Sequence, residues 1–186
     1  MEIRQVLAAD LDNLPEIDAT IESTRYLHVD RTGESANITW RIETRPLRTK
    51  LIEPNRLTDD QRLAAKQIAT GADDGIALTI EHDGQLAALL LAQPRTERGV
   101  LKLIDLRVDC EHRRQGLASG LLYQLINVAK EAGLRAVAAE SRANNFPAAE
   151  LLAKLGFELA GIDTQRYSNH DLVKEVVTLF WYLALN

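Results

Sequence analysis

Cysteine is almost missing from this chain of 186 residues: Cys110 stands alone, which excludes an internal disulfide and any thiolate-rich metal site. Histidine is sparse too. His28, His82, His112 and His170 show none of the spacings at which imidazoles converge on a metal, so none is expected. The sequence has no run of about 18 uncharged apolar residues to span a bilayer. Its first residues, MEIRQVLAADLDNL, lack the continuous apolar stretch of a secretion signal. The expectation is a soluble, cytoplasmic protein with no membrane partner. Positive charge is not in excess either: 22 Lys and Arg against 27 Asp and Glu give a net charge of -5. That balance argues against nucleic acid as a partner and favours a basic substrate. The five prolines are dispersed and nothing repeats, so residues 1–186 read as one domain.

What is present is an ordered series of strand and helix signals. Glu2–Leu7 reads as a strand, and Leu11, Leu14, Ile17 and Ile21 follow at helical intervals, with Pro15 as a boundary or kink. Tyr26–Val29 and Ile38–Ile42 flank a turn-rich stretch and suggest a hairpin. Thr58 can cap a helix that runs to about Thr70 and stops at Gly71. Three antiparallel strands are expected next, Ile76–Glu81, Gln85–Ala92 and Val100–Val108, the first pair joined by an Asp-Gly turn. A helix over Leu117–Ala132 and a strand over Arg135–Glu140 complete a strand, helix, strand unit. A second helix from near Asn145 to Gly156 should bury Ala148, Leu151, Leu152 and Leu155. The strands Phe157–Tyr167 and Val173–Leu185 close the chain as a hairpin. The fold class is therefore α+β, a mixed and mostly antiparallel sheet with helices packed on it.

The stretch that carries chemistry joins a strand end to a helix start: Leu106-Arg107-Val108-Asp109-Cys110-Glu111-His112-Arg113-Arg114-Gln115-Gly116-Leu117-Ala118-Ser119-Gly120. At such a junction backbone N–H groups lack helical partners and the helix dipole is positive. Gly116 and Ala118 leave the backbone bare enough for a large anion, and Arg113 and Arg114 add charge. No Gly-Lys-Ser/Thr follows, and there is no G-x-G-x-x-G.

This stretch resembles motif A of the GNAT N-acetyltransferases, V-x-x-x-x-[RQ]-x-x-G-x-[GA], with Val108, Arg113, Gly116 and Ala118 on the specified positions. Downstream, Asn145-Phe146-Pro147-Ala148 and Lys154-Leu155-Gly156-Phe157 resemble the family's N-x-x-A and K-x-G-F. Glu140-Ser141, Asn144-Asn145, Gly161-Ile162-Asp163-Thr164 and Leu179-Phe180-Trp181-Tyr182-Leu183 are similar to the streptothricin acetyltransferase branch. The resemblance implies a meander whose fourth strand splays from the fifth, with acetyl-CoA as co-substrate and its pantetheine in the gap. The implied cofactor-binding residues are Leu106, Val108, Arg113, Arg114, Gln115, Gly116, Leu117, Ala118, Ser119 and Asn145.

The implied reaction is attack of an acceptor amine on the thioester. An alkyl ammonium of pKa near about 10.4 must lose a proton first, and Asp105 and Glu140 are the candidate catalytic carboxylates. A backbone N–H of the Leu106–Val108 strand is implied as the oxyanion donor. One departure stands out: many family members carry a tyrosine acid where this chain has Leu152, so Tyr123, Tyr167 or Ser141 could replace it, or catalysis is lost. Cys110 has no adjacent histidine at a defined geometry and is read as inert. Trp181, Phe180, Val176, Val177 and Leu179 read as core or as a homodimer interface. Glu16, Asp18, Glu22 and Glu43 are candidate carboxylates for a polyamine such as streptothricin. The expected function is acetylation of a small-molecule amine. The alternatives are a peptide or protein amine as acceptor, and a silent acyl-CoA sensor.

Overall fold

The computed structural model describes residues 2–185. Strand β1 (Ile3–Gln5) opens the chain, but the helix expected after it is replaced by two 3-10 turns, Ala8–Asp10 and Leu14–Glu16. Pro15 withholds a helical donor there, and the Asp10 carboxylate takes the Leu7 N–H at 2.7 Å, so local side-chain bonding competes with the helix. Ile21 belongs instead to strand β2 (Ile21–Glu34), which turns through Ser35 into β3 (Asn37–Glu53). The expected hairpin is present and far longer than Tyr26–Val29 with Ile38–Ile42.

Helix α1 (Asp59–Ala69) begins at Thr58, whose Oγ1 accepts from Gln61 N–H while Gln61 Oε1 accepts from Thr58 N–H. The meander follows as β4 (Ile76–His82), β5 (Gln85–Arg95) and β6 (Val100–Val108). Asp83 at φ 49° and Gly84 at φ 79° supply the two left-handed residues of the β4–β5 turn. Then come α2 (Leu117–Glu131), β7 (Ala136–Arg142), α3 (Phe146–Lys154), β8 (Glu158–Asp163) and β9 (Thr178–Ala184). Helix α3 buries Ala149 and Leu152, whereas Ala148, Leu151 and Leu155, expected in the core, are half-buried. The last two strands are shorter than expected. Residues 164–177 form an irregular loop pinned by buried Asp171, which accepts from Tyr167 N–H at 2.8 Å and Ser168 Oγ at 2.7 Å.

Two compact units emerge. The first comprises residues 2–20, 54–139 and 183–185, with hydrogen-bonded strand order β1-β4-β5-β6-β7. All of its pairings are antiparallel except β6 with β7. Helices α1 and α2 both pack on β4 and β5. This explains the unbroken apolar run Ala87–Ala92, in which every residue is 0% exposed: a strand covered on both faces has no side to give to water. Leu89 and Leu91 meet Leu57 and Ala65 in the α1-side core. From α2, Leu121, Leu122, Leu125 and Ala129 are fully buried.

Strand β6 carries an irregularity that matters below. Leu91 pairs with Asp105 while Ala92 pairs with Leu103, so Ile104 is an extra residue, a β-bulge that bends the strand. The parallel ladder to β7 covers Val100–Lys102 against Ala136–Ala138, just before that bulge. Beyond it β6 continues to Val108, paired with β5.

The second unit comprises residues 21–53 and 140–182. Its β2–β3 ribbon packs on α3, where the Arg25 guanidinium lies 4.4 Å from the Phe146 ring centroid and 3.8 Å from Glu150. Ala143 is bonded on both sides, accepting from Leu27 N–H at 2.9 Å and donating to Val177 O at 2.8 Å. Strands β8 and β9 are antiparallel. Val177, Leu179 and Trp181 are buried, as core residues should be, and the Trp181 indole donates to Ser141 Oγ at 2.9 Å. Among the described residues no helix is long and apolar enough to cross a membrane.

The Asp10 turn generates a pH prediction. Arg4 grips Asp10 in a bidentate pair at 2.7 and 3.0 Å and lowers its carboxyl pKa, with the Leu7 N–H helping against burial. A carboxylate held below its unfolded value of about 3.9 adds stability above that pH and loses it as pH falls through the folded value. Asp10→Asn should therefore lower the unfolding free energy at pH 7 and flatten its decline below about pH 4, as followed by urea unfolding across pH 2 to 7.

Candidate active site

Where β6 leaves β7, two polar side chains point to the same face of the strand. Asp105 and Arg107, two residues apart, pair with Leu91 and Leu89, both of the α1-side core. Arg107 Nε donates to Asp105 Oδ2 at 2.6 Å and Nη2 donates to Oδ1 at 3.1 Å. Gln61 Nε2 donates to the same Oδ1 at 3.2 Å, and Arg107 Nη1 donates to Asn55 O at 3.2 Å. The side chains are 7% and 1% exposed. The capping glutamine of α1 thus also stitches that helix to the bulged part of β6.

This network is where the structure places Asp105, one of the two carboxylates expected from the sequence as a candidate base. Both carboxylate oxygens accept from charged or amide donors. Glu140, the other candidate, lies in the second unit at the end of β7, where Arg166 Nη2 donates to its Oε2 at 3.2 Å. That pair is half-exposed, at 44% and 26%, and so is weakly held.

The strand runs into a loop that is folded tightly on itself. Asp109 Oδ1 accepts from Glu111 N–H at 3.0 Å, and its Oδ2 accepts from Asp18 N–H at 2.9 Å. Arg113 Nη2 donates to Thr20 O at 2.5 Å, so this guanidinium braces the loop from behind, a structural role the sequence did not suggest. Arg114 adopts φ 63° and Gly116 φ 84°, two left-handed residues just ahead of α2. Arg114 and Gln115 are exposed.

Gly116 is the N-cap of α2, with no side-chain cap and no acidic residue in the first turn. The N–H groups of Leu117, Ala118 and Ser119 therefore lack partners inside the helix. A Cβ placed on Gly116 would meet nothing within 4 Å, so the approach to these amides is open. Donors, positive dipole and bare backbone fit a pyrophosphate. Leu117 is buried and anchors the helix, while Leu106 and Val108 are half-buried on the β6 face opposite Asp105. Asn145 lies in the second unit as the N-cap of α3, its N–H donated to Arg142 O at 3.0 Å.

The remaining candidates are dispersed. Cys110 Sγ is 3.5 Å from Asp18 Oδ2, and desolvation with the Asp18 carboxylate pushes its thiol pKa up, which suits an inert cysteine. Glu16 and Asp18 line a cavity of about 340 Å³ in the first unit, with Asp109, Glu111 and His112. Glu22 and Glu43 are on the ribbon of the second unit, ion-paired with Lys50 and Arg45. Tyr123 and Tyr167 are exposed, at 58% and 62%, and Ser141 already holds the Trp181 indole.

The Asp105 network predicts unequal costs for the two carboxylates. Asp105→Ala should cost about 3–5 kcal/mol by stranding Arg107, whereas Glu140→Ala should cost about 0–1 kcal/mol. Equilibrium urea unfolding of the two variants measures the difference.

Comparison with known proteins identifies the family and the fold. The Acetyltransferase (GNAT) family profile matches residues 37–157. Streptothricin acetyltransferase of Escherichia coli is 35% identical over 75 residues, 40% of this chain and 43% of that protein. Streptothricin acetyltransferase A of Bacillus subtilis is 31% identical over 84 residues, 45% of this chain and 48% of that protein, so the match spans about half the length of these relatives. The [ribosomal protein bS18]-alanine N-acetyltransferase of Escherichia coli is 32% identical over 92 residues, 50% of this chain and 61% of that protein. Among solved structures, a nourseothricin acetyltransferase covers 100% of this chain and 98% of its own at TM-score 0.78 and 20% identity. A Bacillus anthracis structure in complex with acetyl coenzyme A aligns at TM-score 0.76 and 22% identity, covering 100% of this chain and 97% of its own. Motif, fold and family profile coincide, and the chain belongs to the GNAT acetyltransferase family.

Proposed function

We propose that the protein is a cytoplasmic N-acetyltransferase that moves the acetyl group of acetyl-CoA to a primary amine of a small, cationic molecule of the streptothricin or polyamine type. The observation that carries this reading is the uncapped start of α2: an N-cap glycine at φ 84°, open space above it, and free first-turn amides. Residues Arg114 to Ser119 hold the pyrophosphate, and the β6 edge beyond the Ile104 bulge offers backbone groups to the pantetheine and to the developing oxyanion. When bound, acetyl-CoA supplies the activated acyl group. Arg113 contributes through the loop it braces.

The preference for a small cationic acceptor rests on the net charge of -5 and on the similarity to streptothricin acetyltransferases. Glu140, in its half-exposed pair with Arg166, is the carboxylate that attracts and orients an ammonium. The similarity to a ribosomal-protein acetyltransferase makes a protein N-terminus the second acceptor to test.

Two outcomes follow. Gly116→Val forces a β-branched residue into a left-handed conformation and fills the approach to the amides, so calorimetry should record at least about a tenfold loss of acetyl-CoA affinity, or 1.4 kcal/mol. Glu140→Gln should raise KM for a cationic acceptor more than it lowers kcat, and the rise should shrink with added salt as exposed charge attraction is screened. Thiol release measured with streptothricin, spermidine and an N-terminal alanine peptide reads both effects and separates the acceptor classes.

A further inference from the structure

Within the first unit, the end of β6 is held in an unusual way. Its parallel ladder to β7 covers Val100–Lys102, and from Asp105 to Val108 its ladder partner among the described residues is β5 alone. The bulge at Ile104 interrupts the ladder between these stretches and leaves the strand to twist. The buried Asp105–Arg107 pair does not by itself tie the strand down, because both residues belong to β6. What reaches them from another element is the segment that opens α1. Asn55 O accepts from Arg107 Nη1 at 3.2 Å, and Gln61 Nε2 donates to Asp105 Oδ1 at 3.2 Å.

Gln61 is the side chain in that segment with two tasks. Its Oε1 accepts from Thr58 N–H at 2.9 Å and completes the cap of α1, while its Nε2 is turned to Asp105. A planar amide carries its acceptor and its donors in fixed relation, so one half-buried group sets the distance from helix start to strand. The helix offers a firm anchor. Leu57 and Ala65 meet Leu89 and Leu91 of β5 in the α1-side core, and Ile104, the bulge residue itself, packs against the same cluster. Removing the Gln61 amide leaves the Asp105–Arg107 pair closed and this core intact, so the loss falls on the tie and not on the fold.

We propose that Gln61 is a positioning residue for acetyl transfer, holding Asp105 against the start of α1 and so fixing the bent end of β6. The inference rests on the acetyl-transfer reading above, in which the Leu106–Val108 backbone meets the pantetheine and the developing oxyanion. Gln61 touches neither acetyl-CoA nor the amine and acts through Asp105 and its strand. A backbone N–H stabilises an oxyanion only when it is aimed in advance at the place where charge develops. Binding of the pyrophosphate depends on the start of α2, a different part of the unit, so loss of the tie weighs on turnover more than on cofactor affinity.

The test compares the parent with Gln61→Leu, Gln61→Glu and Thr58→Ala in thiol release with streptothricin and spermidine at saturating acetyl-CoA, in the calorimetric Kd for acetyl-CoA, and in urea unfolding. Gln61→Leu removes both bonds of the amide, whereas Gln61→Glu keeps an oxygen for the Thr58 N–H and loses the donor to Asp105. Thr58→Ala weakens the cap and leaves that donor in place. Both Gln61 variants should lose about tenfold in kcat, as for a donor misaimed and not removed, with the acetyl-CoA Kd within about threefold of the parent. Thr58→Ala should keep kcat within about twofold of the parent although it unfolds at lower urea. Parent-like kcat in both Gln61 variants would overturn the proposal, and so would a kcat that follows the urea midpoint across all three. If the parent itself acetylates no amine, the functional reading fails, and the positioning role is judged on hydrogen exchange of the protein alone. Faster exchange at residues 106–108 in both Gln61 variants and not in Thr58→Ala upholds it, and equal exchange in all four proteins overturns it.

Discussion

A strand with one residue more than its neighbour must bend, and the first unit is arranged around that bend. Ile104 is the extra residue, and it falls where the parallel ladder between β6 and β7 has just ended. The bend is fixed by chemistry as well as geometry. Immediately after it, Asp105 and Arg107 close a buried ion pair that Gln61 and Asn55 complete. Such a pair contributes little net stability against an apolar replacement, yet it tolerates no loss of either partner. Its value lies in holding one conformation of β6 on the α1 side, so the strand delivers its chain into the loop at a fixed angle.

The loop then solves a second problem. A helix start carries donors that want an acceptor, and most helices satisfy some with a Ser, Thr, Asp or Asn at the N-cap, as α1 does with Thr58. Helix α2 does not: its N-cap is glycine and its first turn has no acid. The surrounding structure compensates by stiffening the loop from behind, through Asp109 on Glu111 and Asp18 and through Arg113 on Thr20. Rigid support behind bare, unsatisfied amides is what a preorganised anion site requires. Arginine charge near the loop is thus divided, Arg113 bracing and Arg114 exposed.

Much of this was legible in residue order. The Asp83-Gly84 turn, the Thr58 cap, the glycines closing α2 and α3, and the spacing of Val108, Arg113, Gly116 and Ala118 each carry a local physical reason that context did not override. The failures were of a different kind. Leu11, Leu14, Ile17 and Ile21 kept a helical period yet formed turns and a strand start, because Asp10 and Pro15 compete for the backbone. The partners of Asp105 were also not legible, because only the alternation of side chains over one bulge brings Arg107 and the remote Gln61 onto it. His28 and Glu43 are far apart in sequence and meet only through the register of a ribbon whose length the residues did not announce.

The central claim is that acetyl-CoA is held by the β6 edge and the start of α2. Hydrogen–deuterium exchange with and without saturating acetyl-CoA tests it at residue level. Binding should slow exchange most at the amides of residues 106–108 and 114–119, because the cofactor would cover both segments and the N–H groups of Leu117, Ala118 and Ser119 lack partners inside the helix. Unchanged exchange across both segments, with protection appearing elsewhere in the chain, would contradict it.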